Sequence, residues 1–223
     1  MKGKISEIFE SVQGEGIYLG EKQIFVRLFG CNLECKYCDT KRKDFIELNP
    51  EELLKKLNSF DKEYHSISYT GGEPLLQKDF LKESMRLTRN ACYKNYLETN
   101  GTLAEELLEI INFVDVIAMD IKLPSSTGLE DFWKRHNLFL KVASSKETFL
   151  KVVVCESTEE EDLRQCLRLI QEINRSAILV LQPNILELGP SLEKKLIGLK
   201  HICTSHGVTA CVIPQIHKIV GVR

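Results

Sequence analysis

No apolar run in this 223-residue chain is long enough to cross a bilayer, which excludes a membrane-spanning helix. The first residues, MKGKISEIFE, lack the apolar core of a signal peptide. A formal net charge of -2 gives no electrostatic case for nucleic acid or a membrane surface as a partner. There is no low-complexity tract, no Pro/Gly/Ser-rich linker and no fixed-period repeat, so a single domain over residues 1–223 is expected. Eight cysteines show no paired framework, as expected of a protein in a reducing cytoplasm. Five of them, Cys92, Cys155, Cys166, Cys203 and Cys211, share no ligand spacing and read as buried or half-buried small side chains.

The other three stand apart. Cys31, Cys35 and Cys38 fall in the run GCNLECKYCDT with the spacing C-x3-C-x2-C. Three thiolates on one short loop can hold three irons of a cubic iron–sulfur cluster and leave the fourth without a protein ligand, where full cysteine ligation would use four. A zinc site would want four ligands, and neither a histidine nor a fourth cysteine lies nearby. A disulfide framework fails because three thiols cannot all pair. The spacing resembles that of the radical S-adenosylmethionine (SAM) enzymes. That resemblance implies a [4Fe-4S] cluster whose open iron binds the methionine moiety of SAM.

Short apolar runs alternate with helical patterns along the rest of the chain. Strands are expected at Gln23–Phe29, His65–Tyr69, Tyr96–Glu98, Val114–Met119, Phe149–Val154, Ile178–Leu181 and Thr209–Ile213. Several are apolar nearly throughout, which suits parallel strands covered by helices. Asn49 with Glu52, Thr102 with Glu105 and Thr158 with Glu161 read as capping boxes. A helix is expected from Lys78 to about Arg89, and Gly189-Pro190 opens a last one. The alternation gives an α/β fold with right-handed crossovers: a partial (βα)6 barrel, TIM-like, with parallel strands. Ligands in such sheets collect at the carboxyl ends of the strands. The unusual residues fall there: Cys31, Thr70-Gly71-Gly72-Glu73-Pro74, Glu98-Thr99-Asn100-Gly101, Asp120-Ile121-Lys122 and Gln182-Pro183-Asn184.

Each motif also has a plainer reading. Gly71-Gly72-Glu73-Pro74 alone would be a tight turn. Tyr37 could simply shield the cysteine loop from water. Arg27 could be a strand residue with a surface ion pair, and Asp39-Thr40 an ordinary turn. His217, a lone histidine in an apolar tail, reads as structural.

Taken together with Ile8-Phe9-Glu10-Ser11-Val12-Gln13-Gly14-Glu15-Gly16, Arg27, Gly30-Cys31-Asn32-Leu33 and Cys38-Asp39-Thr40, these motifs are closely similar to those of the 7-carboxy-7-deazaguanine synthases. The similarity runs through Pro214-Gln215-Ile216-His217-Lys218 and covers most of the chain. It implies the substrate 6-carboxy-5,6,7,8-tetrahydropterin. Val12, Gln13, Gly14 and Thr70 would meet the pterin and Arg27 its carboxylate, for which a guanidinium fork is geometrically suited. It implies SAM contacts from Tyr37, Cys38, Asp39, Gly72, Glu73, Asp120, Ile121, Lys122, Gln182, Pro183 and Asn184. It implies Mg2+ at Thr40, a hard oxygen ligand. A homodimer and an electron donor such as flavodoxin or ferredoxin follow from the same resemblance. Two departures stand out: Lys41-Arg42-Lys43-Asp44 follows Thr40 where members often have small or aromatic residues, and the crossover from Thr40 to Tyr64 is short. Two other functions share the cysteine triplet: an activating enzyme acting on a partner protein, and a non-catalytic iron–sulfur carrier or sensor.

Overall fold

The protein is described by a computed structural model covering residues 1–38, 44–60 and 63–221. Asp39, Thr40 and the basic run after them lie outside the described residues. The strands are β1 (Gly3–Val12), β2 (Lys22–Leu28), β3 (Ile46–Leu48), β4 (Ser66–Gly71), β5 (Asn95–Thr99), β6 (Val116–Asp120), β7 (Glu147–Val154), β8 (Leu179–Pro183) and β9 (Ala210–Val212). The helices are α1 (Pro50–Leu57), α2 (Lys78–Asn90), α3 (Ala104–Ile110), α4 (Pro124–Thr127), α5 (Trp133–Ala143), α6 (Glu160–Ile173), α7 (Pro190–Ser205) and α8 (Ile216–Val220). No helix among the described residues is long and apolar enough to cross a membrane.

The strands form one sheet in the order β3-β1-β2-β4-β5-β6-β7-β8-β9. From β2 onward all neighbours are parallel, and these seven strands are the seven expected from the apolar runs, shifted by a residue or two. Helices α1, α2, α3, α5, α6 and α7 each lie in one of the six crossovers between them, so the partial (βα)6 barrel is realised. Two strands were not expected. β1 and β3 add antiparallel at the β2 edge, with Val12 opposite Lys22 and Gly3 opposite Leu48. Helix α5 was also missed. No side-chain cap marks its start, and only its buried stripe of His136, Phe139, Leu140 and Ala143 betrays it.

Side-chain alternation divides the sheet into two cores. Ile24, Val26, Ile67, Leu97, Ile117, Leu150 and Leu181 face the helices and join the large outer core. Tyr96, Val116, Ala118, Phe149 and Val180 face inward and fill the lower barrel. Tyr18 closes that end, edge-on to Tyr96 at 5.8 Å and hydrogen-bonded through its hydroxyl to Glu147.

Of the three expected capping boxes one forms. Asn49 and Glu52 exchange side-chain to backbone bonds of 2.8 Å at the start of α1. Thr102 instead donates to Asn100 at 2.6 Å, and Thr158 accepts from the Cys155 amide at 2.7 Å. In both, a partner outside the helix captured the hydroxyl, and α3 and α6 begin without a side-chain cap. Cys155, Cys166 and Cys203 are buried and Cys211 half-buried, but Cys92 is exposed in a turn at φ 66°.

Candidate active site

The inward parity that places aromatic residues in the lower barrel places polar ones at the strand ends. Arg27, Thr70, Glu98, Asp120, Lys151 and Gln182 come one each from six adjacent strands, β2 and β4 through β8, and all line one cavity of about 340 Å³. That volume suits a small ligand. Phe25, Tyr96 and Phe149 lie against its lower side, and Cys31, Cys35, Tyr37 and Cys38 form part of its wall.

Two adjacent clusters of side-chain bonds organise this ring. Glu98 accepts from Thr70 (2.7 Å), Ser68 (3.2 Å) and Gln13 (2.9 Å), which sits on the loop after β1. Beside it, charges alternate. Lys122 lies 2.9 Å from Asp120, Asp120 3.7 Å from Lys151, and Lys151 2.5 Å from Glu15. Burial works against the Lys122 and Lys151 ammonium groups, yet the neighbouring carboxylates hold both pKa values above the ordinary lysine range. Burial likewise opposes ionisation of Glu15, but the charge of Lys151 and hydrogen bonds from Gln215 and Lys151 outweigh it and bring Glu15 to about 2. Glu15 and Lys151 are therefore a locked ion pair. Arg27 pairs with Glu7 through Nε at 3.1 Å and lies over the Phe9 ring, 5.9 Å from its centroid.

The loop from Gln13 to Gly16 crosses the mouth of the barrel from the end of β1 to β7, where Glu15 meets Lys151 and Gly16 meets Phe149. Gly16 adopts φ +69°, and a Cβ there would stand 2.5 Å from the Phe149 ring. A Cβ on Gly14 would meet His217 at 2.3 Å. The C-terminal segment completes the bridge: Ile216 donates its amide to the Gly14 carbonyl at 3.0 Å, and Gln215 donates to Glu15 at 2.7 Å. His217, read from the sequence as a structural residue, thus lines the cavity, as does Lys218 from the cationic tail.

The glycine motif presses against the cysteine loop. A Cβ on Gly72 would stand 2.1 Å from the Gly30 carbonyl oxygen and 2.8 Å from the Cys31 Cβ, so only glycine fits. Glu73 points away from the cavity. It is fully buried and accepts from the Asn100 amide (2.7 Å), the Thr99 hydroxyl (2.9 Å) and the Leu75 amide (3.1 Å). Burial pushes it up to about 7, against these bonds. Ile121 and Pro183 also lie outside the lining, with Ile121 in the outer core. Val12, Gln13, Gly14, Arg27, Tyr37, Cys38, Thr70, Gly72, Asp120, Lys122, Gln182 and Asn184 all line the cavity. Among the charged lining residues, Glu15 and Glu98 fell within motifs named from the sequence but were given no role there, and Lys151 fell in none. Alternation could have found two of them, since Glu98 stands two residues after inward Tyr96 and Lys151 two after inward Phe149.

The residues present fit the groups the cysteine loop implies. No set of three His, Cys, Asp or Glu among the described residues is close enough to hold a single metal ion. Ligands of one ion would lie within roughly 4 Å of each other, whereas those of a cubane sit on different irons. Burial pushes the Cys31 and Cys35 thiols up, so metal loading would displace their protons. Among the described residues, Asp120 Oδ1 and Gln182 Oε1 are buried acceptors with no hydrogen-bond partner, and both residues line the cavity. Such orphans call for donors from a ligand, and the amino and hydroxyl groups of SAM are donors of the kind that would fit them.

Barrel and cysteine loop define the class. The profile of the Radical SAM superfamily matches residues 26–153, and the chain is a radical SAM enzyme. Curated relatives narrow this. The chain is 35% identical to the 7-carboxy-7-deazaguanine synthase of Geobacter sulfurreducens, covering 98% of this chain and 97% of the relative. It is 35% identical to that of Archaeoglobus fulgidus over the full length of both. The crystal structure of QueE from Escherichia coli shares the fold with a TM-score of 0.65 and 19% identity, covering 95% of this chain and 94% of that one. The chain belongs to the 7-carboxy-7-deazaguanine synthase family.

Proposed function

We propose that the cavity binds 6-carboxy-5,6,7,8-tetrahydropterin and carries its ring contraction, with loss of ammonia, to 7-carboxy-7-deazaguanine, in queuosine-precursor biosynthesis. The observation that carries this is the meeting of the cysteine loop with six polar strand-end residues on one small cavity. When bound in the cavity, the [4Fe-4S] cluster and SAM would supply reductive radical chemistry.

The chain's own residues bind, orient and exclude water. Cys31, Cys35 and Cys38 hold the cluster. Tyr37, Gly72, Asp120, Lys122, Gln182 and Asn184 surround SAM, and the Asp120 and Gln182 orphans accept from it. Glu73 acts from behind, tying the glycine turn to Asn100. Arg27 takes the substrate carboxylate, sharing its guanidinium with Glu7. Val12, Gln13, Gly14 and Thr70 meet the pterin, with Gln13 and Thr70 held by Glu98. Phe25, Tyr96 and Phe149 keep water from below. Thr40 holds Mg2+ together with substrate oxygens.

Anaerobic incubation of reconstituted protein with SAM, dithionite and the pterin, with and without Mg2+, tests this by mass spectrometry. The deazaguanine and ammonia should form, faster with Mg2+. SAM cleavage without deazaguanine would refute the substrate, and full rate in metal-depleted buffer with the cluster intact would refute the Mg2+ site. A homodimer in the cytoplasm fed by flavodoxin or ferredoxin completes the reading. Light scattering of the purified protein and turnover with either donor in place of dithionite check it.

A further inference from the structure

The ends of β5 and β6 are joined by a residue that no motif marks. His136 on α5 is fully buried, edge-on to Phe132 and Trp133 at 6.2 and 6.4 Å. Its two ring nitrogens face backbone groups on two different loops. Nε2 accepts the N–H of Lys122 at 3.1 Å, and Nδ1 lies 3.0 Å from the carbonyl oxygen of Gly101. A nitrogen that accepts carries no proton, so Nδ1 bears it and donates to Gly101. Burial, which pushes the pKa down to about 4, keeps the ring neutral. Gly101 sits at φ +67°, where a Cβ would stand 2.7 Å from the Met119 side chain and 3.2 Å from Nδ1, so the turn packs this close only as glycine. Buried backbone groups are rarely left unpaired, and here one imidazole satisfies both.

We propose that His136 is a positioning residue: its Nε2 staples the Lys122 backbone to α5, with the Gly101 carbonyl fixing the tautomer that leaves Nε2 an acceptor, and so sets the pose of Asp120 and Lys122 in the cavity. This rests on the reading that these two residues surround SAM. Lys122 carries the consequence, because its ammonium meets Asp120 at 2.9 Å and lies 5.4 Å from the centre of the Tyr37 ring. If its backbone moves, both contacts move with it, and misplacement of about 1 Å in a site is costly.

Two isosteres separate positioning from bulk stability. In His136→Gln the amide oxygen reaches the Nε2 position and still accepts from Lys122, while Gly101 loses its donor. In His136→Asn the amide nitrogen takes the Nδ1 position and still donates to Gly101, while the Lys122 N–H is orphaned. Amide hydrogen exchange at Lys122 and SAM affinity are measured on the cluster-loaded parent and both variants. Relative to the parent, His136→Asn should exchange about tenfold faster at Lys122 and bind SAM about tenfold more weakly, as for one orphaned buried donor. His136→Gln should stay within about twofold of the parent in both, although it too loses one hydrogen bond. Equal exchange at Lys122 in the two variants would overturn the staple. Exchange that splits while SAM affinity does not would keep the staple and overturn the reading of Asp120 and Lys122 as SAM contacts.

Discussion

Replacing Lys151 with methionine breaks the ion pair that anchors the Gln13–Gly16 loop and removes the longer contact to Asp120, which the double variant below separates. Lys151 and Glu15 meet at 2.5 Å with side chains only 15% and 20% exposed, so solvent screens them little. The drop of Glu15 from an ordinary 4.5 to about 2 corresponds to about 3 kcal/mol. A carboxylate with a depressed folded-state pKa contributes stability above its unfolded value, and loses it as pH falls through the folded one. The pair is therefore fully effective above about pH 4.5 and gone near pH 2. In Lys151→Met, burial of Glu15 is opposed by little beyond Gln215, so its pKa should rise above 4.5. A buried pair broken on one side costs roughly 3–5 kcal/mol. For a chain of this size, 3 kcal/mol lowers Tm by roughly 6–12 °C. Thermal unfolding of reduced, cluster-free protein should show that loss at pH 7, and the gap to the parent should narrow by more than half at pH 3. Glu15→Gln/Lys151→Met should recover part of it, with a coupling of at least about 2 kcal/mol. If the two single losses sum to the double within about 0.5 kcal/mol, or if the gap is the same at both pH values, the ion-pair argument is wrong.

Cys31→Ala, Cys35→Ala and Cys38→Ala should each lose iron content, visible absorbance and turnover, while exposed Cys92→Ala should match the parent; a fully active Cys35→Ala protein would sink the three-ligand site. Arg27→Lys keeps the charge but not the fork, and should lose pterin turnover by about a hundredfold while SAM is still cleaved slowly without coupling. Deoxyadenosine and deazaguanine measured in parallel decide it, and parity with the parent in both would leave Arg27 only as the partner of Glu7. Gly16→Ala should destabilise by about 1–3 kcal/mol through its φ of +69° and the Phe149 clash. Gly20→Ala, with φ +90° but open space around it, should lose less, and equal Tm values for the two would argue that the loop does not press on Phe149.

The cysteine triplet, the parallel strands and the motifs at their carboxyl ends were legible because each is local. Three thiols within eight residues, apolar runs with period-two alternation, and glycines after a strand carry their meaning in neighbouring positions. Capping boxes looked equally local, and two of three were misread, because Asn100 and Cys155 offered Thr102 and Thr158 better partners than a helix start. Residue order alone could not join Glu15 to Lys151, 136 positions away, or to Gln215, 200 away. Nor could it show that His136 bonds two loops at once. The closure of the sheet's open side by the β1 loop and the C-terminal segment is likewise a matter of tertiary structure alone. The division follows from range. Backbone geometry and cluster ligation act over a few residues, so sequence determined them. A buried charge or imidazole is stable only beside its partner, and the fold alone decides which distant residue that is.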